Sequence, residues 1–101
     1  MSIIISFFAG LFLANGIPHF INGISGKDFH NPSLHRFFPK IPSPLFNVIW
    51  GLLNFILAVL LFCLIVDFEL GINFNSLAAA FGFILASVGL SIYFRKRKKV
   101  N

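Results

Sequence analysis

The sequence predicts an all-α integral membrane protein, a bundle of three transmembrane helices in a single membrane domain. Three observations predict it. Hydrophobic residues make up 57% of the 101-residue chain and charged residues 11%, where an ordinary soluble domain is about a quarter charged. The apolar residues gather in stretches near residues 3–24, 44–66 and 76–94, each long enough to cross a hydrocarbon core about 30 Å thick as a helix. Five of the eight Lys and Arg form one run, Arg95-Lys96-Arg97-Lys98-Lys99, at the foot of the third stretch. A soluble domain this small has too little interior to hide so much apolar surface.

The first stretch changes character along its length. Ile3 to Leu13 is nearly all apolar, and Asn15-Gly16-Ile17-Pro18-His19-Phe20-Ile21-Asn22-Gly23 follows. Pro18 removes a backbone donor and presses on the carbonyl four residues back, so the helix is expected to kink near Gly16–Pro18. In lipid the freed groups must be met by neighbouring helices or polar side chains. No Lys or Arg precedes Lys27 and no Ala-x-Ala site follows the apolar stretch. The segment therefore reads as a retained helix and not as a cleaved signal.

Residues 25–43 read as a loop, with Pro32, Pro39 and Pro42 and the charges Lys27, Asp28, Arg36 and Lys40. Leu34, Phe37 and Phe38 suit the headgroup region, and a short interfacial helix is expected near residues 33–38, capped by Asn31 or Ser33. Ser43-Pro44 then reads as an N-cap followed by proline at the first helical position. The 23 residues of the second stretch span roughly 35 Å at about 1.5 Å per residue. Asp67 and Glu69 end it, and residues 71–75 form a connector. The 19 residues of the third span roughly 28 Å. Tyr93 falls at its boundary, where an amphipathic ring is stable, and residues 95–101 form a basic tail.

Orientation follows from the charges. The tail carries five cations and the first loop three, whereas the second loop holds only Asp67 and Glu69. Cations accumulate in the cytoplasm. The tail and first loop are thus expected there, with the N-terminus outside, in the cell's inner (plasma) membrane. Arg95, Lys96, Arg97, Lys98 and Lys99 are expected at anionic lipid headgroups.

Candidate site residues come from polar positions that recur at helical spacing inside the spans. Asn15, His19 and Asn22 share one face of the first helix, and Asn47, Gly51 and Asn54 one face of the second. Ser87 and Ser91 recur on the third. Lipid cannot satisfy these groups, so they are expected to form one layer near the cytoplasmic side. There the asparagines act as interhelical glue. His19 either bonds a carbonyl freed by Pro18 or handles a proton or ligand, because imidazole titrates near neutral pH. Gly51, and Ala79, Gly82, Ala86 and Gly89 on the third helix, are small residues expected at helix contacts.

Several functions are excluded or unsupported. Cys63 is a lone cysteine, so no internal disulfide or cysteine-based metal site is possible. His30 and His35 lie five apart with only Asp28 nearby, a poor metal set. No phosphate loop or nucleophile–base–acid set is visible, and no aromatic-basic surface for nucleic acid. No cofactor is expected.

Two motifs carry a resemblance. The run Asn15-Gly16-Ile17-Pro18-His19-Phe20, with Gly23 and Ser25-Gly26-Lys27 after it, is one. Asn47-x-x-Trp50-Gly51-x-x-Asn54 is the other. Together they resemble small bacterial multi-helix membrane proteins with an Asn-Gly-(Ile/Val)-Pro-His-Phe segment, a Pro/Phe loop and the same Asn-Trp-Gly-Asn spacing. The likeness ends near Asn54. It implies a multi-helix membrane protein and carries no activity across, and it adds Trp50 to the candidates. The function expected is helix–helix assembly, with a second copy or a membrane partner. An oligomeric transporter with a polar path near His19 is the second expectation, and an enzyme acting on a lipid or isoprenoid the third.

Overall fold

The computed structural model describes the backbone of residues 1–65 and 69–100. Its regular structure is helical: α1 over Ser2–Ile24, α2 over Ser43–Leu60 and α3 over Phe74–Val100. A 3-10 turn covers Ser33–Phe37 in the α1–α2 loop, and a π-helical turn over Leu61–Ile65 prolongs α2. Three helical stretches, Ser2–Ile24, Ser43–Leu64 and Phe74–Lys96, are long and apolar enough to cross a membrane. Val66, Asp67 and the side chains of Arg97, Lys98 and Lys99 lie outside the described residues.

α1 runs through Pro18 as one helix and stops where glycine permits it. The Gly26 amide donates to the Gly23 carbonyl at 3.0 Å and the Lys27 amide to the Asn22 carbonyl at 3.0 Å. This Schellman closure needs a left-handed residue, and Gly26 supplies it with φ of 71°.

Two predicted caps are replaced. α2 begins at Ser43, but Pro42 is its N-cap and no side chain caps it. The Ser43 hydroxyl instead donates to Asn31 Oδ1 at 2.7 Å. The 3-10 turn likewise starts after Pro32 with no side-chain cap, because Asn31 is engaged with α2. α3 begins earlier than expected, at Phe74, since Asn73 Oδ1 accepts the Ser76 amide at 2.8 Å in the manner of an N-cap. It also ends later. The Lys and Arg after Phe94 are good helix formers with no Gly or Pro among them, so the basic run continues α3 to Val100.

α1 lies at the centre of the bundle. It packs against both α2 and α3, which form no packed pair of their own. Small residues make the contacts close. A Cβ added at Gly16 would lie 2.9 Å from the Gly51 carbonyl oxygen, and one at Gly51 would lie 2.9 Å from that of Gly16. On the other side, Gly10 abuts the Ala79 carbonyl and Gly82 the Phe7 carbonyl. The stripe predicted on α3 therefore packs on α1 at Ala79 and Gly82. It opens at Gly89, where an added Cβ would meet nothing within 4 Å.

The distribution of size is inverted relative to a soluble core. The buried hydrophobic residues are Ala9, Ala14, Phe46, Ala58 and Ala79, while Ile56, Leu64, Phe81 and Ile84 are more than half exposed. Small side chains inside and large apolar ones outside is the pattern of helices that associate by close backbone approach.

Candidate functional site

The polar side chains gather at the end of the bundle that carries the α1–α2 loop. The first interhelical pair is Asn15 Nδ2, which donates to Asn54 Oδ1 at 3.1 Å. Asn54 Nδ2 donates in turn to the Trp50 carbonyl of its own helix at 2.8 Å, and the Trp50 ring is half-buried. One turn nearer the loop, His19 bonds Asn47 through Nδ1 and Oδ1. His19 is 5% exposed and Asn47 fully buried.

The orientation of Asn47 assigns the histidine proton. Asn47 Nδ2 donates to the Ser43 carbonyl at 3.0 Å and to Asn31 Oδ1 at 3.1 Å. With both acceptors on that side, Oδ1 must accept, and His19 Nδ1 carries the hydrogen. The lone pair of the neutral ring is then at Nε2. Asn47 can hold this tautomer, but an amide neither gives nor takes a proton, so the pair orients the ring and is not an acid–base couple.

The loop closes over this pair. The Phe29 ring meets His19 edge-on at 5.3 Å and reaches Phe94 of α3 at 4.9 Å. The His30 ring lies 5.5 Å from Tyr93 and 5.8 Å from Phe94, with the Tyr93 hydroxyl 3.5 Å from His30 Nε2. Further on, His35 Nε2 donates to the Ile41 carbonyl at 2.8 Å, and its ring packs 4.6 Å from Phe46 of α2. A segment that leaves α1 and enters α2 thus also grips α3. Its 3-10 turn and the residue that follows it present Leu34, Phe37 and Phe38 outward, each more than two-fifths exposed.

The layer expected from spacing is narrower than predicted. Asn22 does not cross to α2; its Nδ2 donates to the Pro18 carbonyl at 2.8 Å within α1. Gly23 occupies the point of closest approach beside it, 2.7 Å from the Pro44 carbonyl oxygen if it carried a Cβ. His19 bonds Asn47 and not a carbonyl freed by Pro18. Ser87 donates to its own helix at Phe83, 2.7 Å away, and Ser91 is exposed. Both border a groove of about 280 Å3 beside Ala14, Ile17 and Pro18, apart from the asparagine pairs.

Spacing within helices missed Phe29, His30, Asn31 and Ser43. Their positions follow from loop docking, for which the sequence offers only the polar and aromatic character of residues 29–31 as a signal. Spacing also missed Ser6, which is fully buried with no hydrogen-bond partner for its hydroxyl. Among the described residues, no three His, Cys, Asp or Glu come together as a metal site.

A second feature lies toward the opposite end. Because α2 and α3 do not pack together, a cleft of about 600 Å3 opens between the π-helical turn and α3. Gly10 and Leu13 of α1 border it, with Cys63 on one wall and Ala80 and Phe83 on the other. Comparison with known proteins gives no match to a family model, a curated protein or a solved structure.

Proposed function

We propose that the chain is a multi-pass protein of the cell's inner membrane that works by helix–helix assembly with a second copy of itself. The N-terminus and the 71–75 connector would lie outside, and the loop end and basic tail in the cytoplasm, with the tail at anionic headgroups. The observation that carries the assembly reading is the cleft between α2 and α3. On its walls Cys63 of the π-helical turn and Ala80 and Ile84 of α3 are exposed and not covered by a neighbouring helix, and a small residue such as Ala80 is what close helix association requires. The pairing of the polar groups supports the same reading. Asn15, His19, Asn47 and Asn54 bond one another across α1 and α2, which makes them glue and does not line a path for solute.

Cys63 borders the cleft and is the chain's single cysteine, so the native protein carries its own probe. In lipid nanodiscs the chain is expected to run as a defined oligomer, and a short bis-maleimide is expected to link two copies through Cys63. A strictly monomeric, uncrosslinked protein in nanodiscs sinks the assembly reading. A transport role predicts flux in liposomes that His19→Ala abolishes; the paired geometry predicts no such flux.

A further inference from the structure

All eight Lys and Arg fall in two segments far apart in sequence, the α1–α2 loop and the end of α3. The loop has no covalent reason to approach α3. It does so through its rings: Phe29 stands 4.9 Å from Phe94, and His30 stands 5.5 Å from Tyr93. Arg95 follows Phe94 directly. The threading of three helices puts the loop and the end of α3 at one end of the bundle, and the aromatic contact holds the loop cations against the start of the basic run there.

The groups at this end have a consistent chemistry. Lys27, Arg36, Lys40, Arg95 and Lys96 are all exposed, and Asp28 is the one carboxylate of the two segments. Between the cations, the 3-10 turn and the residue after it present Leu34, Phe37 and Phe38 at 44%, 63% and 49% exposure. The Arg36 guanidinium lies over the Phe37 ring at 4.8 Å. Exposed cations interleaved with exposed apolar side chains match the interface of an anionic bilayer, where phosphates meet the charges and the acyl boundary receives the rings.

We infer that the α1–α2 loop and the end of α3 form one platform for anionic phospholipid headgroups, assembled by the docking of Phe29 and His30 on Tyr93 and Phe94. This rests on the membrane reading above, and it extends headgroup binding from the tail to the loop. The platform is a tertiary object. It depends on uncharged contacts as much as on the cations themselves.

The test uses the full chain in phosphatidylcholine liposomes with a trace of spin-labelled phosphatidylglycerol or spin-labelled phosphatidylcholine. The wild type is expected to immobilise the anionic label in preference to the neutral one. The variant Lys27→Gln/Arg36→Gln/Lys40→Gln, with the tail intact, is expected to lose that preference by about fivefold for each cation removed. Phe29→Ala changes no charge and is expected to lose part of it; Phe94→Leu probes the same contact from α3 if Phe29→Ala fails to insert. Unchanged preference in the loop triple variant would assign binding to the tail alone and overturn the platform. Unchanged preference in Phe29→Ala and Phe94→Leu would overturn its assembly by docking. Displacement of the label by soluble glycerophosphate would make a free phosphate the ligand and overturn the lipid assignment. Resistance of the wild type to alkaline extraction is scored separately. Extraction of the chain from the liposomes sinks the membrane reading itself, whereas an inserted protein with no lipid preference sinks only the platform.

Discussion

The carboxamide of Asn47 can make four hydrogen bonds, and three are in place, to His19, Ser43 and Asn31. Asn15 makes one, to Asn54, on a half-buried side chain. An interhelical polar bond in lipid contributes about 0.6 kcal/mol on average, whereas stranding buried partners costs about 1–3 kcal/mol. Asn47→Ala is therefore expected to destabilise the fold by about 2 kcal/mol and Asn15→Ala by about 0.6 kcal/mol. Equilibrium unfolding in mixed micelles reads both, and equal losses would show that Asn47 is no hub. The tautomer is a second expectation at this scale. Nitrogen-15 spectra of labelled histidine should find the neutral His19 ring protonated at Nδ1, and protonation at Nε2 would reverse the assigned orientation of Asn47. Helical spacing made His19, Asn47, Asn15 and Asn54 legible, because residues three or four apart share a face. It could not tell Asn22 from Asn15. Both lie on the same stripe, but Asn22 sits beside a glycine already in contact with α2, so its own backbone is the nearer acceptor.

Helices are the scale at which the sequence was most readable, and their ends the least. Long apolar stretches fixed the existence of α1, α2 and α3, since hydropathy accumulates over many residues. A boundary depends on one or two bonds, and at Ser43 and Asn31 those bonds were taken by a tertiary contact. The small-residue stripe on α3 was legible as a packing face, yet only packing decides which members are used. That distinction is measurable. Gly10→Val would drive a side chain into the Ala79 backbone, and Gly82→Val one into Phe7. Each is expected to cost about 1–3 kcal/mol through overpacking. Gly89→Val faces open space and is expected to change stability by no more than about 0.5 kcal/mol. Thermal denaturation of the purified variants in one detergent supplies the ranking. A Gly89 variant as damaged as the Gly10 variant would mean that α3 is packed along its whole length.

At the scale of the whole molecule, the two ends are chemically opposite. Lys27, Arg36, Lys40, Arg95 and Lys96 lie at one end, while Ser2 meets Asn75 through a 3.1 Å hydrogen bond at the other. The proposed topology predicts that a reporter after residue 101 and one inserted within residues 71–75 sit on opposite sides of the membrane. An external C-terminus in the fusion assay would overturn it. The loop's reach to α3 was the least legible feature, because it joins residues 63 and 64 positions apart with no pattern in either segment to announce it. That reach also orders the protein's biogenesis. α1 leaves the ribosome before α2, which can pair with it as a hairpin, but the rings that hold Phe29 and His30 lie at the far end of α3 and are synthesised later. Until Tyr93 and Phe94 emerge, the Phe29 ring over His19 lacks its hold on α3. Closure of the strap over His19 therefore waits until the far end of α3 has been made.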